Sequence, residues 1–129
     1  MNTSVITVVP AVPGMMIHAY LAHWYREAGT AYTLNGATGI CLRLVDSSGS
    51  IAVHAFDASI LSATADTTYI GNGPSGSVGT TQLATAHPLG STHINQPLVA
   101  HIPGGQPTLG TGGVYVTVFY HLFPMSNSF

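Results

Sequence analysis

Residues 114–123 read Val-Tyr-Val-Thr-Val-Phe-Tyr-His-Leu-Phe, a run that alternates with the period of two belonging to a β-strand. Val114, Val116, Val118, Tyr120 and Leu122 share one face, and Tyr115, Thr117, Phe119, His121 and Phe123 share the other. Large apolar groups at both parities constrain the fold strongly. Such a strand is either central in its sheet or has one face in an interface. The rest of the chain must therefore supply a sheet, a layer to pack on it, and cover for the second face.

Further strand signals run along the chain. Val5-Ile6-Thr7-Val8-Val9 is β-branched throughout and stops at Pro10. Ile40 to Val45 alternates with Arg43 outward, passes into the turn cluster Asp46-Ser47-Ser48-Gly49, and is followed by Ile51 to Phe56, which predicts a hairpin. Thr67–Ile70 and Pro97–Ile102 are shorter runs. The stretches 71–79 and 103–113 are rich in Gly, Pro and Ser and read as turns. Met15 to Ala28 carries two patterns: Ile17, Leu21 and Trp24 fall at helical spacing, while Met15, Ile17, Ala19 and Leu21 alternate. The surrounding strands need partners, so the expectation here is a strand. Many short strands punctuated by Gly and Pro predict an all-β sandwich or jelly roll, as one domain over 1–129 with short arms at about 1–4 and 124–129.

Composition narrows function. Only 5% of the residues are charged, and none is lysine. A surface that neutralises nucleic-acid phosphates needs clustered cations, so nucleic acid is not an expected partner. Schiff-base and P-loop lysine chemistry are excluded, and disorder does not fit a chain this poor in charge. So few charges give little protection against self-association, which points to a surface covered in part by other subunits; a neutral Ser/Thr-rich secreted domain is the alternative. Met1 to Pro10 lacks the positive region of a signal peptide, and no apolar run approaches the roughly 18 residues of a membrane span. Cys41 is the single cysteine, which rules out an internal disulfide and fits synthesis in a reducing cytoplasm.

Candidate chemistry is sparse. The histidines are His18, His23, His54, His87, His93, His101 and His121. His18 and His23 lie five apart, which on a regular strand places them on opposite faces. His87 and His93 flank a loop, and no HExxH or Cys/His pair appears. Neither a metal nor a cofactor is expected. Asp57 and Asp66 show no sign of a shared cleft, and Glu27 beside Arg26 reads as a local or solvated pair. Gly73-Pro74-Ser75-Gly76-Ser77 is a loop, not a nucleophile elbow, and Gly104 to Gly113 connects strands without the lysine of a phosphate cradle. No catalytic residue is expected. Tyr20, Trp24, Tyr25 and Tyr32 either line a sugar-binding surface or fill the core, and the core is the simpler reading. Phe129 ends a polar tail that no core requires, as a residue reaching onto a neighbouring subunit does.

The order of these pieces carries a resemblance. Ala28-Gly29-Thr30-Ala31-Tyr32-Thr33 follows the first strand and its Pro/Gly break. Then come Leu42-Arg43-Leu44, Leu61 to Tyr69, Asn95-Gln96-Pro97-Leu98-Val99, Pro107-Thr108 with Gly110 to Gly113, and Val114 to Tyr120. Over about residues 4 to 122 the chain resembles the small virion structural proteins of tailed bacteriophages, the capsid decoration (cement) or minor head proteins. The resemblance implies an antiparallel β-sandwich of jelly-roll type, without catalytic residues, that binds the major capsid protein of an assembled head, often as a trimer, and so resides on the virion. Its contact surface is expected among Trp24, Tyr25, Tyr115, Phe119, Phe123 and Phe129. The alternative is a tail or fibre module that recognises a host glycan through Trp24 and Tyr25. The sequence departs from the family around His18 to Tyr25, where relatives often have a simpler alternating strand.

Overall fold

The computed structural model describes residues 5–46, 49–72, 77–78, 82–85 and 94–124. The elements are β1 (Ile6–Val9), β2 (Met15–Arg26), β3 (Gly39–Asp46), β4 (Gly49–Asp57), α1 (Ser59–Ser62), β5 (Thr67–Asn72), β6 (Ser77–Val78), β7 (Gln82–Thr85), β8 (Leu98–His101) and β9 (Val114–Pro124). They form two antiparallel sheets, one in the order β1-β8-β3-β4-β7 and the other β6-β5-β2-β9. The molecule is thus all-β and sandwich-like, with one short turn of helix among the described residues. Residues 40–45 and 51–56 pair as the hairpin their pattern predicts.

One core lies between the sheets. Ile40, Leu42 and Leu44 of β3, Phe56 of β4 and Leu98 of β8 face Ile17, Ala19, Ala22 and Trp24 of β2 and Tyr69 of β5. Ile60 and Leu61 of α1 complete it, and Asp57 opens that turn by accepting the Ser59 N–H at 2.9 Å. Each fully buried Leu, Ile or Phe contributes about 1.5–3 kcal/mol to folding. Neither α1 nor β7 carries a sequence pattern long enough to announce it. Gly71 and Asn72 extend β5, and Ser77–Val78 pairs back on it, so these parts of the expected turn stretch are strand.

β2 is a strand, and its double pattern has a structural cause. Opposite β9, Ala19 meets Tyr120 but Leu21 meets Phe119, leaving Tyr20 as an extra residue, a β-bulge. The bulge flips the parity of everything after it. Ile17 and Ala19 face the core before it, and Ala22 and Trp24 after it. Ile17 and Trp24, seven apart, therefore share a face, as they do on a helix. The same shift overturns the expectation for His18 and His23. Their partners on β9 are His121 and Thr117, which have the same parity, so both histidines lie on the outer face.

The far end of β2 is closed by a buried cation. Arg26 has no exposed surface, and its guanidinium donates to the carbonyls of Ala63 (3.0 Å), Thr111 (3.0 Å), Gly112 (3.2 Å) and Thr30 (2.8 Å). It also lies 4.8 Å from the centre of the Tyr32 ring, whose hydroxyl donates to the Gly112 carbonyl at 2.7 Å. Arg26 is therefore no solvated partner of Glu27: Glu27 instead accepts the Gly113 N–H at 2.8 Å. The Gly-rich 104–113 loop wraps this cluster. Gly110 lies against Tyr32 so closely that an added Cβ would stand 2.3 Å from the ring, and Gly112 has φ +85° beside the Arg26 guanidinium.

Candidate interaction face

The register of β2 and β9 sets out the outer face of the four-stranded sheet. Met16 lies opposite Phe123, His18 opposite His121, Leu21 opposite Phe119, His23 opposite Thr117 and Tyr25 opposite Tyr115. Directly opposed side chains of an antiparallel pair lie close enough to touch, and here most are rings. Tyr20, carried outward at the bulge, stacks on His121 with ring centres 4.5 Å apart and planes 22° apart. His18 meets Phe123 edge-on at 5.6 Å, His121 meets Phe123 at 6.2 Å, and Tyr20 lies 6.5 Å from Phe119. At the other end Tyr25 stacks on Tyr115 at 6.2 Å.

These rings are open to water. Tyr20, Tyr115, Phe119 and Phe123 are between 38% and 53% exposed, far more than a monomer's core requires. Tyr120 and Leu122, at 43% and 38%, are equally open although their parity points them toward the core side. The difference lies along β9. From Val114 to Val118 the odd residues are exposed and the valines pack on the core; from Phe119 onward both faces are exposed. β9 is also an edge strand, so the central position its pattern allowed is not the one it takes. At this open end Asn95, in a left-handed conformation (φ 62°), fixes the start of β2: its side chain accepts the Gly14 N–H at 2.5 Å and its own N–H donates to the Met15 carbonyl at 3.0 Å.

The two tyrosines at the closed end are set by carboxylates. The Tyr25 hydroxyl donates to Asp66 at 3.1 Å, and its pKa is raised by desolvation and then by that carboxylate. The Tyr115 phenol is raised first by the charge of Glu27, then by a hydrogen bond to it. Both therefore present neutral hydroxyls at physiological pH. Asp66 also accepts the Ala28 N–H at 2.7 Å, which ties the strand end to the following turn.

The opposite sheet carries a different cluster. Arg43 Nη1 lies 3.0 Å from His101 Nδ1, and since a guanidinium only donates, Nδ1 accepts and the ring is neutral. Burial and then the Arg43 charge lower the His101 pKa. Cys41 lies 3.9 Å from the same nitrogen, but burial pushes its thiol up to about 11, against the opposing pull of Arg43. At neutral pH this is a protonated, buried thiol and not a nucleophile. Among the described residues no group of three His, Cys, Asp or Glu side chains could hold a metal ion, and no helix is long and apolar enough to cross a membrane.

Of the residues expected at a contact surface, Tyr25, Tyr115, Phe119 and Phe123 lie on one outer face. Trp24 does not. It is 5% exposed and packs between the sheets, because the bulge turns it inward; the glycan reading loses its tryptophan. Tyr32 lies beneath Arg26, and only Tyr20 joins the open face from that group. His87, His93 and Phe129 lie outside the described residues. The residues of this region that the expected contact set lacked are His18, Tyr120, His121 and Leu122, besides Tyr20, for which the core was the simpler reading. The signal for three of them was present in the two-faced run of β9. No protein-family model matches the chain, and neither a curated protein nor a solved structure shows significant similarity to it.

Proposed function

We propose that this protein is a non-catalytic structural subunit that decorates an assembled shell, the head of a tailed bacteriophage, by laying the aromatic face of β2 and β9 against neighbouring protein. The observation that carries the reading is the exposure of Phe119 to Phe123 on both faces of an edge strand. Exposed apolar patches of this kind mark protein–protein contact, and aromatic side chains are enriched at the cores of such contacts. The near absence of charge supports it too, since few ions need to be desolvated or paired when the surface is covered. The major capsid protein is the partner this reading assigns, and the virion surface the location. Repetition over a shell would make modest single contacts sufficient through avidity. The jelly-roll assignment belongs to the same proposal, supported by the chain's repeated passage between sheets, at β1/β2, β2/β3, β4/β5, β6/β7 and β8/β9.

The test is co-sedimentation with heads lacking accessory proteins, with bound copies counted against the major capsid protein by quantitative mass spectrometry. Saturation at a simple fraction of the capsid copy number is expected, and Tyr20→Ser should weaken binding while leaving the circular dichroism spectrum unchanged. Absence of binding, or a handful of copies per particle, would overturn the reading.

A further inference from the structure

We infer that β9 pairs edge to edge with β9 of a second copy of this chain, antiparallel about a two-fold axis, so that two four-stranded sheets join into one. This rests on the reading of β9 as a contact surface and names its first occupant.

The argument begins with the four sheet edges among the described residues. β6 has two residues, and β1 and β7 have four each, while β9 has 11. Short edges are one means by which sheets avoid unwanted pairing, and charges, prolines and bulges on the edge strand are others. β9 has none of these before its last residue: Val114 to Phe123 contains no charged residue, glycine or proline, and the bulge is on β2, not on β9. In an antiparallel ladder the backbone groups of alternate residues point away from the existing partner, so β9 offers a row of N–H and C=O groups over its whole length.

The occupant must cover three sides of the exposed half, the edge and both faces. A flat protein surface covers one face. An added strand covers all three, because its backbone completes the ladder while its side chains lie beside Phe119 and Phe123 on the outer face and Tyr120 and Leu122 on the inner. That strand must itself be long and apolar at both parities. Among the described edge strands only β9 has that pattern; the described lengths of β1, β6 and β7 are too short to match it, which favours β9 on β9 over a head-to-tail pairing.

β9 is also compatible with itself. A two-fold axis normal to the sheet keeps outer face beside outer face. The register that overlaps the full strand places Phe119 at the axis, with Tyr115 opposite Phe123 and Val118 opposite Tyr120. All five exposed large apolar side chains of the strand gain apolar neighbours, and no like charges meet. The paired strip is about 36 Å long, a narrow interface by the standards of stable dimers, so the association should depend on concentration.

Sedimentation velocity of the full chain, over roughly two decades of concentration up to about 100 μM, tests this together with Phe119→Lys and Phe123→Lys. The wild-type chain should form a dimer. Phe119→Lys, which brings two ammonium groups to the axis, should raise the dissociation constant by at least about tenfold with an unchanged circular dichroism spectrum. Should either lysine variant fail to fold, Phe119→Cys gives a second route: mild oxidation should join two chains through that residue, as directly opposed positions permit. A trimer, a monomer at every concentration, or an oligomer indifferent to both lysines and not cross-linked through position 119 would each overturn the pairing. These outcomes are separable from failure of the shell reading, which is measured by particle binding: a dimer that ignores heads sinks that reading alone, and a monomer that coats them sinks this one alone.

Discussion

The β2–β9 ladder has two ends built in opposite ways. Where Arg26 meets Val114 the structure is closed: a buried guanidinium is surrounded by four carbonyls, a tyrosine ring lies under it, and a glycine loop is packed against that ring. Where Met15 meets Pro124 it is open, with aromatic rings stacked on one another and bare to solvent on both faces of β9. The same two strands thus carry a region whose buried cation is satisfied internally and one whose apolar groups are not covered internally. The guanidinium needs no partner outside the chain. The second has its apolar surface still in water, which is the condition under which association is favourable.

If this contrast is right, substitutions should divide between stability and association. The largest effect is expected for Arg26→Ala, which takes a donor from four carbonyls. Those of Gly112 and Thr30 keep the Tyr32 hydroxyl and the Thr111 N–H, and those of Ala63 and Thr111 lose their guanidinium donor at a cost of about 1–3 kcal/mol for each that stays dry. Unfolding by urea should show a loss of at least about 3 kcal/mol, or no folded protein at all. Gly110→Ala follows. Its methyl would overlap the Tyr32 ring, and overpacking of this kind costs about 1–3 kcal/mol. At the open end Phe123→Ser should change the urea midpoint little, within about 0.5 kcal/mol. Yet it should weaken self-association or shell binding by at least about tenfold, as loss of an aromatic anchor does. A stability loss at Phe123 comparable to that at Arg26 would break the comparison.

The smallest effect concerns pH. The Cys41 thiol has a folded pKa of about 11 against an ordinary 9.0, so the native state holds its proton where the unfolded chain releases it. Stability from this group is complete below pH 9 and is lost as pH rises from about 9 to about 11. Cys41→Ala should flatten the lower part of that decline in urea titrations, before the tyrosines titrate, and leave association at neutral pH unaffected.

Much of this was legible in the sequence, and the exceptions have definite causes. The hairpin of β3 and β4 and the two-faced β9 follow from periodicity, because side chains on strands obey strict alternation. The bulge at Tyr20 does not: one extra residue leaves no mark in composition, and no glycine flags it. That single insertion decides that Trp24 is core and that His18 and His23 share a face, so an error in parity passes to every residue beyond it. Arg26 was misread for a different reason. An arginine beside a glutamate suggests an ion pair, but backbone carbonyls from distant loops supply its partners, at separations of up to 86 residues. β7 and α1, of four residues each, are too short for any pattern.

The contrast between the two ends is tested most directly by amide hydrogen exchange along β9, measured at low and at high protein concentration. The account predicts that alternate amides of β9 from Tyr115 to Phe123 become protected as concentration rises, while those of Glu27 and Thr111, which donate to the Gly113 and Thr30 carbonyls around Arg26, are equally protected throughout. Exchange along β9 that is independent of concentration, at concentrations high enough for self-association, would contradict it.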